Sequence, residues 1–105
     1  MVFIETSVFT RQIRDLISDD HLQALQEWIA VSPTAGKLIR GGGGCRKLRW
    51  KTAATGKRGG IRIIYYWMKK DARVLLLLAY AKSDTDDLSQ AQIQMLIKLV
   101  KSEIG

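Results

Sequence analysis

Cysteine, histidine and proline occur only once each in this chain of 105 residues. One cysteine excludes an internal disulfide and a zinc site built from several cysteines. The lone histidine, His21, lies far from Cys45 in a predicted helix, so that thiol has no base to activate it. We therefore interpret Cys45 as structural or merely tolerated, and we predict that the protein uses no cofactor and no metal.

Long apolar runs are also missing, since no stretch approaches the roughly 20 residues of a membrane-spanning helix. The N-terminus carries an early Glu5 and no basic leader of the secretory type. These two absences predict a cytoplasmic protein that does not associate with membranes. The length is typical of one domain, so we assign residues 1–105 to a single domain.

Acidic residues are nearly absent from the middle of the chain. Residues 37–73 contain twelve Lys and Arg but only one acid, Asp71, whereas acids outnumber bases on either side. Side chains of one charge sign repel one another and destabilise the compact state unless an anion binds to them. The segment therefore predicts a polyanionic partner, of which nucleic acid is the commonest, although a basic surface without a specific partner is the alternative.

Hydrophobic spacing predicts an α+β fold with the order β-α-α-β-β-β-α. Two N-terminal helices over residues 7–17 and 19–31 and a C-terminal helix after Ser89 would pack on an antiparallel sheet. The last three strands, near residues 46–51, 61–68 and 73–82, are close enough in sequence to form an antiparallel meander. Ser18 is predicted to cap the second helix, Ser89 and Gln92 form a capping box, and Gly41 to Gly44 form a turn.

The chain lacks a Ser-His-Asp set, a phosphate loop and a metal motif, so a group of cations with one tyrosine is its main chemical resource. Alternation along the first basic strand puts Lys47, Arg49 and Lys51 on one exposed face. RNA carries its own nucleophile, the 2′-hydroxyl, so such a group could cleave RNA by binding the phosphate and moving protons. The same residues could equally bind phosphates without catalysis.

The order of several sequence blocks resembles the RelE/ParE superfamily of type II toxins, most closely its HigB-like branch. The blocks are FIE at residues 3–5, SPTAG at 32–36, GGGGCRKLR at 41–49, GKRGGIRIIYY at 56–66, YAK at 80–82 and DDL at 86–88. The resemblance implies a compact fold of the RelE-like microbial ribonuclease type. It also implies a ribosome-dependent endoribonuclease that cuts translated mRNA and leaves a 2′,3′-cyclic phosphate.

The same resemblance suggests roles for individual residues. Lys47 or Arg49 would assist deprotonation of the 2′-hydroxyl, Arg62 would stabilise the transition state, and Lys82 would contact the substrate. The chain has serines, Ser83 and Ser89, where RelE carries an arginine and a tyrosine, so the general acid stays open. Further RNA-binding residues are predicted to be Arg46, Lys51, Lys57, Arg58 and Tyr80, and Tyr80, Lys57, Arg58 and water are the candidate proton donors.

A toxin of this family implies a cognate helix-turn-helix antitoxin, contact with ribosomal RNA and mRNA, and binding to operator DNA only through the antitoxin. Two other functions stay open at this stage, a ParE-like inhibitor of DNA gyrase and a non-catalytic nucleic-acid-binding protein. The cations Lys47, Arg49, Arg62 and Lys82 favour the nuclease over the gyrase inhibitor. Cations on strands rather than on a recognition helix disfavour a helix-turn-helix DNA binder.

Overall fold

The computed structural model describes residues 1–51, 60–82 and 87–104. Over these residues the chain forms one mixed sheet, three α-helices and a short 3₁₀ turn. In chain order the elements are β1 (Val2–Glu5), α1 (Ser7–Arg14), α2 (Asp19–Val31), β2 (Lys37–Leu38), β3 (Arg46–Trp50), β4 (Ile61–Met68), β5 (Arg73–Ala81) and α3 (Gln90–Ile104). The predicted α+β class with two N-terminal helices and a C-terminal helix is confirmed.

The strands lie in the order β1-β5-β4-β3-β2. The strands β3, β4 and β5 form the predicted antiparallel meander. The prediction of a wholly antiparallel sheet was wrong, because β1 pairs in parallel with β5. Hydrophobic alternation identifies a strand but carries no information about its direction. The strand β2 was also missed, since two residues are too few for alternation to be recognised.

Side-chain caps fix where the helices begin. The Ser18 hydroxyl accepts a hydrogen bond from His21 N at 3.2 Å, as predicted for the second helix. The predicted capping box is also present, with Ser89 N donating to Gln92 Oε1 at 2.9 Å and Gln92 N donating to Ser89 Oγ at 3.1 Å. The first helix ends at Arg14, three residues earlier than predicted, because Ser18 must be extended to cap α2.

The sheet is covered on both faces, which divides the core in two. On one face α1 and α2 contribute Phe9, Ile13, Leu25 and Ile29, which pack on Tyr65 and other strand residues. On the other face α3 contributes Leu96 and Val100, which pack on Ile64, Leu75 and Leu77. Burial of each such side chain stabilises the fold by about 1.5–3 kcal/mol.

A β-bulge interrupts the pairing of β4 with β5. Tyr65 pairs with Leu76, but Ile64 pairs with Leu78, so that Leu77 is an extra residue on β5. As a result Leu77 and Leu78 both lie on the α3 side, and the alternation of the following residues is shifted by one. Without the bulge, Tyr80 would lie opposite Ile61; with it, Tyr80 lies opposite Arg62.

The glycine run forms the predicted tight turn, which joins β2 to β3. Gly41, Gly43 and Gly44 have positive φ values of 70°, 64° and 99°. Hydrogen bonds from Ile39 N to Cys45 O and from Cys45 N to Gly42 O close the turn. The turn thereby brings β2 alongside the basic strand β3. No helix in the described parts of the chain has the length and apolar character needed to span a membrane.

The turn generates a stability prediction. Gly44→Ala should destabilise the fold more than Gly41→Ala, because a Cβ at Gly44 would lie 2.8 Å from the Tyr66 ring, whereas one at Gly41 meets nothing within 4 Å. Both variants carry a backbone cost of about 1–2 kcal/mol for a positive φ. Urea unfolding of the two proteins measures the difference. Equal losses of stability would mean that the Tyr66 contact imposes no constraint.

Candidate functional site

A row of three side chains crosses the sheet on its α3 side. Arg62 on β4 is the Cα partner of Arg49 on β3 and of Tyr80 on β5. Residues paired in this way have their side chains on the same face, with Cβ atoms about 4.5–5.5 Å apart. Arg49 is exposed, while Arg62 and Tyr80 are half-buried. Two of the predicted catalytic residues are therefore brought next to each other and next to Tyr80.

Lys47 extends this row along β3 and has an acidic neighbour. Its Nζ lies 3.4 Å from Oδ1 of Asp87, which is three residues before the first residue of α3. The same carboxylate accepts a hydrogen bond from Leu88 N at 2.9 Å. That bond, followed by the charge of Lys47, lowers the pKa of Asp87, so its carboxylate is ionised at neutral pH. Both side chains reach solvent, so the pair stabilises the fold only slightly.

The cations line an open groove. Lys37, Lys47, Arg49 and Arg62 border a concave space of about 490 Å³. A second groove of about 380 Å³ lies between the β2–β3 hairpin and the start of α3, and Lys37 and Lys47 border it as well. The cationic groove, as we call the first space with its four cations, has the volume and charge to receive a phosphodiester and its riboses.

The Tyr80 hydroxyl is buried at the edge of this group and has no hydrogen-bond partner within the described structure. Burial raises the pKa of Tyr80, the charge of Asp87 raises it further, and the charge of Arg62 opposes both effects. The charges of Asp87 and Arg62 thus act on the phenol in opposite directions, and it stays protonated at neutral pH.

Arg46 does not join the other predicted RNA-binding residues. It pairs with Tyr65, so its side chain lies on the opposite face of the sheet, where α1 and α2 pack. Its guanidinium donates to Gly36 O at 2.8 Å and to Thr34 O at 3.4 Å. The Tyr65 hydroxyl fastens the same loop by donating to Pro33 O at 2.8 Å and accepting from Gly36 N at 2.9 Å. Arg46 thus holds the loop before β2 in place.

Two further predicted residues, Lys51 and Lys82, lie at the end of the sheet where β3 and β5 terminate. Lys51 directly follows β3 and Lys82 directly follows β5, and both are exposed. The backbone N–H of Lys82 donates to Gly60 O at 3.3 Å, which places Lys82 beside the start of β4. Lys57 and Arg58 fall in residues 52–59, outside the described residues.

Two residues of the site were missed from the sequence. Lys37 was counted only among the basic residues of the segment 37–73, and Asp87 was noted only as part of the DDL block. The Cα of Lys37 pairs with that of Lys47 through the β2–β3 hairpin, and Asp87 pairs with the Lys47 ammonium. The positions of Lys37 and Lys47, four residues before and three residues after the glycine run, could have revealed the first contact. Nothing in the sequence indicates the second, which joins residues 40 positions apart.

The arrangement is suited to binding and transforming a phosphate ester. Arginine side chains can form paired hydrogen bonds with phosphate oxygens, and Lys47 adds a compact positive charge. Tyr80 adds a group able to donate a proton. Among the described residues there is no group of three or more His, Cys, Asp or Glu side chains that could hold a metal ion.

Comparison with known proteins identifies the class to which this fold and site belong. Residues 1–104 match the protein family described as the RelE toxin of RelE/RelB toxin-antitoxin systems. A match over nearly the whole length shows that the chain belongs to this family of RelE toxins.

Two solved structures have the same fold. A chain in the crystal structure of the intact E. coli RelBE toxin-antitoxin complex is 20% identical, has a TM-score of 0.58, and matches over 76% of this chain and 94% of that chain. A mutant of the E. coli toxin RelE in the free state is 16% identical, has a TM-score of 0.62, and matches over 94% of this chain and 95% of that chain. The predicted RelE-like fold is confirmed.

The two faces of β3 predict different effects for its two arginines. Arg46→Ala should lower the free energy of unfolding by about 1–2 kcal/mol, because it removes the charged donor that holds the residue 33–36 loop. Arg49→Ala, at an exposed position on the other face, should change it by less than about 0.5 kcal/mol. Urea denaturation of the two variants measures both values. A larger loss for Arg49→Ala would contradict the placement of Arg46.

The burial of Cys45 predicts low reactivity. Desolvation raises the pKa of Cys45 to about 11. At pH 8 only about one thiol in a thousand is then ionised, and the thiolate is the reactive form. Cys45 should react with a thiol-specific chromogenic reagent far more slowly in the native chain than in urea. Equal rates in the two conditions would show that the thiol is accessible and ionisable in the folded protein.

Proposed function

We propose that this RelE-family protein is a ribosome-dependent endoribonuclease that cuts translated mRNA and thereby inhibits translation. The observation that carries the proposal is the cationic groove, with Arg49 and Arg62 adjacent on neighbouring strands and Lys47 beside them. A site of this kind suits RNA because the substrate supplies the nucleophile, and the protein must supply positive charge and proton transfer.

In the proposed reaction the groove binds the scissile phosphodiester between the two arginines. Lys47 or Arg49 assists removal of the proton from the 2′-hydroxyl, whose oxygen then attacks phosphorus. Arg62 stabilises the added negative charge of the transition state, because preorganised cations act strongly where charge develops. The products are a 2′,3′-cyclic phosphate and a 5′-hydroxyl. No metal ion or cofactor is required for these steps.

Residues around the groove have binding roles in this proposal. Lys82 and Lys51, at the same end of the sheet, would contact the RNA backbone together with Lys57 and Arg58, which lie outside the described residues. Lys37 joins them as a groove cation that the sequence did not indicate. Arg46 is on the other face, and we now assign its main role to holding the loop before β2.

We also propose partners on the basis of the family. A cognate antitoxin with a helix-turn-helix domain would bind this chain, and the complex would contact operator DNA through the antitoxin. The intact RelBE complex of E. coli supports such an assembly for a protein of the same fold. The sequence blocks support placement in the HigB-like branch. A substrate on translating ribosomes implies that the protein acts in the cytoplasm without associating with membranes.

The function is tested in a reconstituted translation mixture. Purified protein is added to an mRNA with and without ribosomes, and primer extension maps the 5′ ends that form. Cuts that depend on ribosomes and carry cyclic phosphate ends support the proposal. Inhibition of DNA supercoiling with intact mRNA would instead identify a gyrase inhibitor. If the protein neither cuts mRNA nor inhibits supercoiling, a non-catalytic nucleic-acid-binding protein is the remaining hypothesis.

Arg62 provides the sharpest variant. Arg62→Ala should lower the rate of mRNA cleavage by about 100- to 1,000-fold, the usual cost of removing one transition-state contact, and should abolish toxicity in cells. Arg62→Lys keeps the charge but loses the paired hydrogen bonds, so its rate should be intermediate. Lys70→Ala is a matched control that removes an exposed cation at the other end of β4. Full activity of folded Arg62→Ala protein would contradict the assignment.

A further inference from the structure

The fold buries the Tyr80 hydroxyl at a cost in stability. Its ring packs at the edge of the α3 core, and its hydroxyl is buried without a hydrogen-bond partner within the described structure. A buried hydroxyl that makes no hydrogen bond loses its interaction with water without compensation. Phenylalanine would fill the same volume without that cost, so stability alone does not explain the hydroxyl.

The bulge in β5 determines where this hydroxyl lies. With regular pairing, Ala79 would lie opposite Arg62, and Tyr80 would face the α1–α2 core beside Ile61. The extra residue Leu77 instead turns Tyr80 to the α3 side of the sheet, in the row with Arg62 and Arg49. Bulges are frequent beside active sites, where they redirect a side chain. The buried hydroxyl and the bulge are independent observations that indicate the same residue.

We propose that Tyr80 is the general acid of the RNA cleavage reaction and donates its phenolic proton to the leaving 5′-oxygen. This inference rests on the nuclease function proposed above. As the 2′-oxygen forms its bond to phosphorus, the bond from phosphorus to the 5′-oxygen breaks, and that oxygen keeps the electron pair. It takes the proton of Tyr80, and the phenolate then recovers a proton from water. The 2′ proton passes to water, and Lys47 or Arg49 assists its removal by stabilising the oxyanion that forms.

The surroundings of Tyr80 suit a proton donor. Its phenol remains protonated at neutral pH because burial and the charge of Asp87 raise its pKa. An alkoxide is a far stronger base than a phenolate, so the proton moves readily once the 5′-oxygen begins to leave. Arg62, its register partner, contributes positive charge that stabilises the phenolate formed at that moment.

Substrate access requires a small rearrangement, since the hydroxyl has almost no exposed surface in the free protein. Asp87 is an acidic group close enough to influence the pKa of Tyr80, and it forms an exposed ion pair with Lys47. Such pairs contribute little to stability, so an incoming phosphate can replace the carboxylate on Lys47 at low cost. Binding of RNA would thus displace Asp87, the acidic group that acts on Tyr80, as the RNA fills the groove.

The test compares Tyr80→Phe with the wild-type protein on ribosome-bound mRNA under single-turnover conditions. Removal of the general acid should slow cleavage about 100-fold or more, with little change in the protein concentration needed for half-maximal rate. The decisive substrate carries sulfur in place of the bridging 5′-oxygen at the mapped cut site. A thiolate leaves without being protonated, so the variant should cut this mRNA at close to the wild-type rate.

Tyr66→Phe is the matched control, because Tyr66 is also half-buried on the α3 side and has not been assigned a role in cleavage. It should cut both substrates like the wild-type protein. Thermal unfolding should show that Tyr80→Phe is at least as stable as the wild-type protein, since the lost hydroxyl has no partner.

Three outcomes would overturn the inference. The first is an undiminished cleavage rate for Tyr80→Phe on the normal mRNA, and the second is an equal loss of rate on both substrates. The third is an increase in the protein concentration needed for half-maximal rate that accounts for the whole loss of activity. If the wild-type protein itself does not cut mRNA on ribosomes, the proposed function fails, and that result is distinct from all three.

Discussion

The pairing of β4 with β5 is the constraint on which the rest of the structure depends. These two strands are central in the sheet, and their side chains supply both cores, one against α1 and α2 and the other against α3. Because both faces are buried, the register cannot slip by one residue without exchanging the two cores. The bulge at Leu77 is therefore fixed by packing over the whole length of the ladder, and the position of Tyr80 is fixed with it.

The candidate site uses the part of the α3 face that α3 leaves uncovered. One end of that face is closed by Leu96 and Val100, while the other carries the cationic groove. The site is consequently built on strands whose opposite sides are anchored in the core, and its cations have fixed relative positions before any substrate arrives. In the proposed reaction such preorganisation would favour the transition state over the ground state, because the charges need not reorganise during reaction. The basic side chains repel one another in the free protein, and in the proposed function they would bind the phosphates of an RNA backbone.

Charge and anchoring are divided between the two faces of β3. Lys47 and Arg49 face the groove, whereas Arg46 and Tyr65 of β4 hold the loop of residues 33–36 through four hydrogen bonds. That loop leads directly into β2, which contributes Lys37 to the groove. A residue whose charge suggests RNA binding therefore supports the site from behind. The same division explains why substitutions of Arg46 and Arg49 should affect different properties, stability for Arg46 and, under the proposed function, catalysis for Arg49.

The sequence by itself determined the fold class, the helix caps, the meander and the cationic face of β3. These features depend on local patterns, namely alternation along a strand, hydroxyl groups at helix starts and the exclusion of acids from residues 37–73. Tertiary structure decided the parallel pairing of β1, the existence of strand β2 and the contact of Asp87 with Lys47. It also decided on which face of the sheet the side chains of Arg46 and Tyr80 lie. Each of these depends on contacts between residues that are distant in sequence. For Tyr80 the deciding feature is Leu77, which has no partner on β4 and lies in an apolar run. In the run from Val74 to Leu78 every side chain is apolar, so no sequence pattern shows where the bulge lies, and only packing against both cores selects it.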